Sequence, residues 1–203
     1  MLQRRTWLGT GLVLTIALTG CRSDYAATPV QAPGTPKPVV KKARPAKRAP
    51  GEMTIAQFQE RIHRYSSDFG RVGEKYAPKI SLLLAAVNQA KGEARNQLKL
   101  GAETLYAFAR DLHRISEPME KINPPAELDE WNSYQLQKAD ETVIGIEKLA
   151  DAAEKADALL FRTRADEFRR RNLEMDKEAG EILRRSGFDP DRFAANQAFV
   201  PLK

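Results

Sequence analysis

Apolar side chains recur every three or four positions from residue 53 onward, in four runs separated by short breaks. This spacing places them along one face of an α-helix, so each run predicts an amphipathic helix. No part of this region alternates apolar and polar residues for long enough to predict a strand. The four stripes are Ile55, Phe58, Ile62, Tyr65, Phe69, Val72, Tyr76, Ile80, Leu83 and Val87; Ala94, Leu98, Gly101, Leu105, Phe108, Leu112 and Ile115; Leu128, Trp131, Gln135, Ala139, Thr142, Ile146, Leu149 and Ala153; and Phe161, Ala165, Phe168, Asn172, Met175, Ala179 and Ile182.

Local signals mark where these helices begin and end. Thr54 and Gln57 have the spacing of a capping box, Asp157 is a candidate N-cap, and Gly187 is a candidate C-cap. The sharpest break is Asn123-Pro124-Pro125, because the residue before a proline is disfavoured in a helix. The second of these prolines can open the next helix.

The break between the first two runs is weaker. Lys91-Gly92 is the best candidate, yet the helical phase continues almost unchanged across it, and Pro78 should kink or restart the first run. Four segments of about 25–38 residues with short connections favour an all-α, up-down-up-down four-helix bundle over residues 53–188. A long two-helix hairpin is the alternative. In the C-terminal tail, residues 189–203, we expect one short turn, with Phe193 and Phe199 packing back.

Residues 1–20 have a different pattern. Arg4 and Arg5 precede an apolar run from Trp7 to Leu18, and Leu18-Thr19-Gly20 comes directly before Cys21. A positive start, an apolar core and small residues before a cut are the three parts of a secretory signal. The apolar run is about a dozen residues, whereas a membrane-spanning helix needs roughly 20, which favours a cleaved signal.

Leu18-Thr19-Gly20-Cys21 resembles the lipobox of bacterial lipoproteins. The resemblance implies transfer of a diacylglyceryl group to the Cys21 thiol, cleavage after Gly20 and acylation of the new N-terminus. Two or more acyl chains hold a protein stably at a membrane, at about 0.8 kcal/mol per buried CH₂ group. Arg22 stands where an Asp would favour the inner membrane, so the resemblance favours the periplasmic side of the outer membrane in a host with two membranes. The alternative is a plain secretory signal with an incidental cysteine.

Residues 21–52 predict a disordered tether. Prolines exclude regular helix or sheet, and few large apolar residues are present to offset the entropy of ordering. Some thirty residues reach on the order of 100 Å when extended and average nearer 30–60 Å. The prolines are at positions 29, 33, 36, 38, 45 and 50.

The positive charge of the chain is concentrated in this tether. Of the net charge of +6, residues 22–52 carry +5 and residues 1–21 carry +2, which leaves −1 on residues 53–203. A nucleic-acid-binding domain would carry a basic face on its folded part, so we expect no nucleic-acid partner. The cluster from Lys41 to Arg48 is either a self-repelling spacer or a contact to anionic headgroups or wall polymers.

The second half of the predicted bundle carries several weak motifs. They are Ile122-Asn123-Pro124-Pro125-Ala126-Glu127-Leu128, Trp131, Asp157 and Gly187-Phe188. Together these resemble small bacterial lipoproteins with helical bundles. The resemblance implies the fold, and it implies no chemistry.

Helical bundles often hold metals, and one motif here has the spacing of a metal site. Glu60 and His63 match the Glu-x-x-His pattern of di-iron carboxylate proteins, which place both ligands on one helix face. Such a site repeats the motif and adds two inward glutamates. The other histidine, His113, has Arg110 three residues before it, so the second half of the site is missing.

Haem binding would need one of these histidines with a methionine. The candidates are Met53, Met119 and Met175. A lone histidine needs a second partner to make a site, so the simpler interpretation leaves both histidines solvated on helix flanks. We predict neither a cofactor nor a metal.

No catalytic site is predicted either, since the chain has no nucleophile elbow and no glycine-rich phosphate loop. We therefore expect a non-enzymatic, lipid-anchored interaction or structural module of the cell envelope. It would bind the membrane through Cys21, and its partner would be an envelope protein, a wall polymer or a second copy. Self-association is suggested by the segment from Ser81 to Val87, which is apolar on every side.

The alternative is a ligand-, haem- or metal-binding bundle. Three polar residues occupy core-like positions in the stripes: Gln135, Thr142 and Asn172. Such residues either fix helix register or line a small cavity, unless the stripes are slightly misplaced.

Overall fold

The computed structural model describes residues 51–89 and 94–202, and each apolar stripe forms a helix there. The four long helices are α1 (Ile55–Gln89), α2 (Ala94–Glu120), α3 (Asp129–Glu154) and α4 (Ala158–Arg185). A short helix, α5 (Pro190–Asn196), follows, and a 3₁₀ turn at Ala126–Leu128 leads into α3. The signal sequence, nearly all of the tether and the Lys91-Gly92 break lie outside the described residues.

The long helices pack in chain order, α1 on α2, α2 on α3 and α3 on α4. This confirms the up-down-up-down four-helix bundle. The two-helix hairpin is wrong, because α1 and α2 fold back on each other instead of continuing as one helix.

The local signals act largely as expected. Thr54 and Gln57 form the capping box, with Gln57 N donating to Thr54 Oγ1 (3.1 Å) and Thr54 N donating to Gln57 Oε1 (2.9 Å). The Asp157 side chain caps α4 by accepting from Leu160 N. Gly187 follows α4 with φ +87°, a conformation that favours glycine. Pro78 does not restart the first helix, which runs through it without a break.

Up-down packing gives the bundle two distinct ends. The tether end holds the start of α1, the α2–α3 connection, the end of α4 and the C-terminal tail. The far end holds the end of α1, the start of α2 and the α3–α4 turn. Because α4 has 28 residues and a helix rises 1.5 Å per residue, the two ends are about 40 Å apart.

Buried side chains form two clusters, one toward each end. The far-end cluster is the larger, and it includes Leu83, Leu98, Leu105, Ile146 and Phe161. The tether-end cluster is rich in aromatic side chains, and its buried members are Phe58, Ile62, Met119, Leu128, Trp131, Ile182, Leu183, Phe188 and Phe199.

Two glycines allow close helix packing. A Cβ atom on Gly145 of α3 would lie 2.2 Å from the Phe168 ring of α4, and one on Gly101 would lie 2.6 Å from a methyl carbon of Leu83. A side chain at either position would force the facing Leu83 or Phe168 side chain, or the helix that carries it, to shift.

The C-terminal tail folds back over the tether end. Asp189 N donates to Val200 O (2.8 Å), and Leu202 N donates to Gly187 O (2.9 Å). The prediction that Phe193 and Phe199 pack back is confirmed, since both join the tether-end cluster. The tail is therefore part of the core and not a loose extension. Among the described helices, none is both long and apolar enough to cross a membrane.

Candidate functional site

A cavity of about 60 Å³ lies at the tether end, between α1, α3 and the tail. From α1, one wall is formed by Ile62, Tyr65, Ser66 and Phe69, which occupy adjoining turns of a single helix face. Met119, near the end of α2, closes the base of the site. Most of this surface is apolar, as is usual in small-molecule pockets.

Helix α3 supplies the second wall. Trp131, Gln135, Lys138 and Ala139 line the cavity at helical spacing, together with Asn132, which follows Trp131 directly. Spacings of three and four residues bring these side chains onto one face. Helix α3 thus contributes both the largest ring and most of the polar groups.

The tail forms the roof of the cavity. The Phe193 ring of α5 packs edge-on against the Trp131 ring, with centroids 5.0 Å apart. Gln197 also lines the cavity, and its carbonyl oxygen accepts a hydrogen bond from His63 Nε2 (3.0 Å). Phe199 N donates to Gln59 Oε1 (3.2 Å). Two polar contacts to α1 thus hold the roof in place.

Asn132 is the unusual residue of this site. It is only 4% exposed, and its Oδ1 atom has no hydrogen-bond partner among the described residues. A buried polar atom left without a partner costs about 1–3 kcal/mol, and most such atoms in native proteins are satisfied. The amide therefore needs an explanation beyond packing.

The one charged group in the cavity wall is already paired. Lys138 is 3% exposed and donates to the carboxylate of Asp176 on α4, which is 15% exposed. Buried charges are tolerated when they are paired in this way. The pair makes the site neutral overall.

The Tyr65 hydroxyl is also neutral. It lies 3.4 Å from Ser116 Oγ, and burial raises the pKa of this phenol above its ordinary value of 10.0. Ser116 in turn donates to Leu112 O (3.0 Å). The cavity therefore has apolar walls, several neutral polar groups and no unpaired charge.

The three polar residues predicted at core positions prove informative. Thr142 and Asn172 are buried, and Gln135 lines the cavity. The Thr142 hydroxyl donates to Lys138 O (2.8 Å), whereas Asn172 Oδ1 is a second buried atom without a partner. The cavity-lining interpretation thus holds for Gln135.

The residues considered for a metal do not converge. Glu60 pairs with Arg64 on the surface, and His63 binds the tail carbonyl of Gln197. His113 is exposed, with Glu117 4.0 Å away. Residues 51–89 and 94–202 contain no group of three potential metal ligands.

The methionines considered for haem lie in the core. Met119 and Met175 are buried, and Met53 packs against the tether-end cluster. Both histidines, in contrast, are exposed.

Lys138 and Asn132 are among the cavity residues that the sequence prediction missed. Lys138 stands three positions after Gln135 and four before Thr142, so the helical spacing did place it on the apolar face, but a lysine is normally assigned to the surface. Asn132 lies beside the stripe, and it is buried together with Trp131, on which Phe193 of the tail packs.

A second candidate surface is the far end. The three most exposed large apolar side chains of the described residues are Leu82, Leu100 and Leu159, at 72%, 71% and 75%. They belong to α1, α2 and α4, and each lies near the end of its helix that is remote from the tether.

The tether meets the opposite end. Met53 N donates to Asn123 O (3.0 Å), and Ala126 N donates to Glu52 Oε1 (2.8 Å). The last residues of the tether are thus fixed to the α2–α3 connection. Gly20 and Cys21, the predicted cleavage and lipidation residues, lie outside the described part of the chain. No protein-family model, curated protein or solved structure matches this sequence.

Proposed function

We propose that this protein is a lipid-anchored component of the bacterial cell envelope whose helical bundle acts by binding and not by catalysis. The anchor is the lipid on Cys21, after cleavage behind Gly20. In a host with two membranes, the proposed location is the periplasmic side of the outer membrane.

The main support for the proposal is that the tether and the three exposed leucines lie at opposite ends of the bundle. The hydrogen bonds of Glu52 and Met53 fix the tether to one end of the bundle. Leu82, Leu100 and Leu159 lie toward the other end, about 30–40 Å away by helix length. These leucines are therefore remote from the point where the tether joins the bundle.

The far end has the character of a contact surface. Single exposed leucines are common, but three leucines exposed above 70% on three helices at one end favour an apolar partner. The proposed partner is another envelope protein or a second copy of the chain. Within the segment Ser81–Val87, Leu82 and Ala85 are exposed, in line with the expected self-association.

The basic tether supports anchoring at an anionic surface. Residues 22–52 carry a net charge of +5, and each basic residue near such a surface contributes about 1 kcal/mol. The basic cluster from Lys41 to Arg48 in this tether also matches an anionic wall polymer, which we propose as a second partner.

Site-specific photo-crosslinking in intact cells tests the proposed contact. A photo-reactive phenylalanine analogue replaces Leu159 in the full chain, and Leu82 or Leu100 in two further variants, and the same analogue replaces Leu202 as the matched control. Leu202 is also an exposed apolar residue (46%), but it lies at the tether end. We expect a discrete adduct from position 159, absent from position 202 and lost with Cys21→Ser.

The mass of the adduct separates the two proposed partners. A product of twice the chain mass identifies a second copy, and any other discrete mass identifies a different envelope protein. Equal labelling from both positions, or no adduct from positions 82, 100 and 159, would contradict a contact surface at the far end.

A further inference from the structure

The cavity at the tether end has the composition of a binding site for a small molecule. Its walls are mostly apolar, and its polar groups converge from α1, α3 and the tail. A few placed polar groups in an apolar pocket fix the orientation of a ligand.

Asn132 supplies the observation that points to a ligand. Its side chain is buried and its Oδ1 atom is enclosed and lacks a partner among the described residues, while the residue as a whole lines open space. Asn172 is equally buried and also unpartnered, but it does not line this cavity. The two asparagines therefore form a natural pair for comparison.

The residues that line the cavity carry no unpaired charge, which favours a neutral ligand. The Lys138 ammonium is bound to Asp176, and the Tyr65 phenol is held neutral by burial, which raises its pKa. A charged ligand would have to leave water without an opposite charge free to receive it.

The volume limits the part of the ligand that enters. An apolar cavity of about 150 Å³ is large enough to bind benzene, so 60 Å³ admits only the end of a chain, a few heavy atoms long. The aromatic rings of Trp131 and Phe193 bound this space. Only a slender group fits without displacing them.

The Asn132 amide determines which polar group on the ligand fits the cavity. It offers an acceptor oxygen and a donor NH₂, and it can present either one by rotation. A hydroxyl group both donates and accepts, so it matches the amide in either orientation. We propose that this cavity binds a neutral molecule that carries a hydroxyl group on a slender apolar stem, with the hydroxyl hydrogen-bonded to Asn132.

Methionine methyl groups can report on binding in this cavity. Three of the chain's four methionines, Met53, Met119 and Met175, follow the proposed cleavage site and give three methyl signals in NMR spectra of the ¹³C-methyl-labelled mature protein, reconstituted in phospholipid nanodiscs. Met119 lines the cavity, whereas Met175 is buried and does not line it. The probes are 1-butanol and 1-chlorobutane, which share a four-carbon stem and differ in the hydroxyl.

We expect 1-butanol to shift the Met119 signal saturably and to leave Met175 unchanged. One net hydrogen bond to Asn132 should raise the affinity ratio of 1-butanol to 1-chlorobutane roughly fivefold to tenfold above the ratio in Asn132→Leu. Leucine is the comparison because it keeps the branched shape and loses the amide. Asn172→Leu should retain the wild-type ratio.

Three results would overturn the proposal. They are a Met119 shift that grows linearly without saturation, an affinity ratio that is the same in the wild type and in Asn132→Leu, and a ratio that Asn172→Leu lowers as much as Asn132→Leu does. The first would mean that the cavity binds neither probe, and the other two would mean that Asn132 does not bind the hydroxyl. Unchanged Met53 and Met175 signals of Asn132→Leu without probe would show that this variant keeps the fold.

Discussion

The Lys138 side chain, 3% exposed, donates to the Asp176 carboxylate across the interface of α3 and α4. Asp176 retains more contact with water, at 15% exposure. Desolvation penalises both charges, so their pairing is what makes the lysine tolerable in the core.

Removing the carboxylate should be more damaging than removing the ammonium. We expect Asp176→Leu to lower the free energy of unfolding by about 3 kcal/mol, because it leaves a buried ammonium alone. Lys138→Met should cost less, since Asp176 can still reach water. The double variant should return close to the wild type, and urea unfolding of all four proteins measures the coupling. Additive losses would show that the two side chains do not depend on each other.

The unpartnered asparagines predict an unusual gain of stability. Replacing Asn132 or Asn172 with leucine removes a buried polar atom without a hydrogen bond, so each variant should gain about 1 kcal/mol in unfolding free energy. Thr142→Val is the control, because its hydroxyl is satisfied by Lys138 O and its loss should bring no gain. Destabilisation by both leucine variants would mean that the amides are satisfied in solution.

Two helical glycines should respond in opposite directions to alanine. At Gly145 the new Cβ would meet the Phe168 ring at 2.2 Å, and overpacking of this kind costs about 1–3 kcal/mol. At Gly180 the nearest atom is a Pro190 carbon at 3.7 Å, so alanine should add about 0.5–1 kcal/mol through helix propensity. Thermal unfolding of both variants tests the close approach of α3 and α4. A stabilised Gly145→Ala variant would contradict it.

Acid should weaken the contact between α1 and α2. Hydrogen bonds from Lys75 Nζ (2.7 Å) and Tyr76 OH (2.8 Å) hold the pKa of Asp111 below its ordinary value of 3.8. A pKa that is lower in the folded state gives stability that is present above the unfolded pKa and lost as pH falls through the folded one.

We therefore expect unfolding free energy to fall between about pH 5 and pH 2, and to fall less in Asp111→Asn. Urea titrations at a series of pH values measure this slope. Glu103→Gln on the same helix corrects for the removal of one exposed carboxylate. The same slope in Asp111→Asn and in the wild type would show that these hydrogen bonds do not form in solution.

Helical spacing predicted the core well because burial in a bundle follows a local period. Phe58, Leu98 and Ile146, all from the predicted stripes, are fully buried. Caps were equally readable, since Thr54 and Asp157 act on residues three positions away. Such interactions can be predicted from the sequence, because both partners lie within a few residues of each other.

The cavity was only partly predictable, because it depends on partners far apart in the chain. Lys138 is buried through Asp176, 38 positions later. His63 donates to Gln197, 134 positions away, in a tail whose return path depends on the left-handed conformation of Gln197 (φ +56°). No local pattern around Asn132 reveals that α5 will pack over its neighbour Trp131.

Mass spectrometry of the protein from membranes of the native host tests the anchoring proposal most directly. We predict an N-terminal peptide that begins at Cys21 and carries a thioether-linked diacylglyceryl group and an acylated amine, labelled when cells are fed an isotopic palmitate. Cys21→Ser should lose both the label and the membrane association. An intact residue 20–21 bond, or a cysteine without lipid on a membrane-bound chain, would contradict the account.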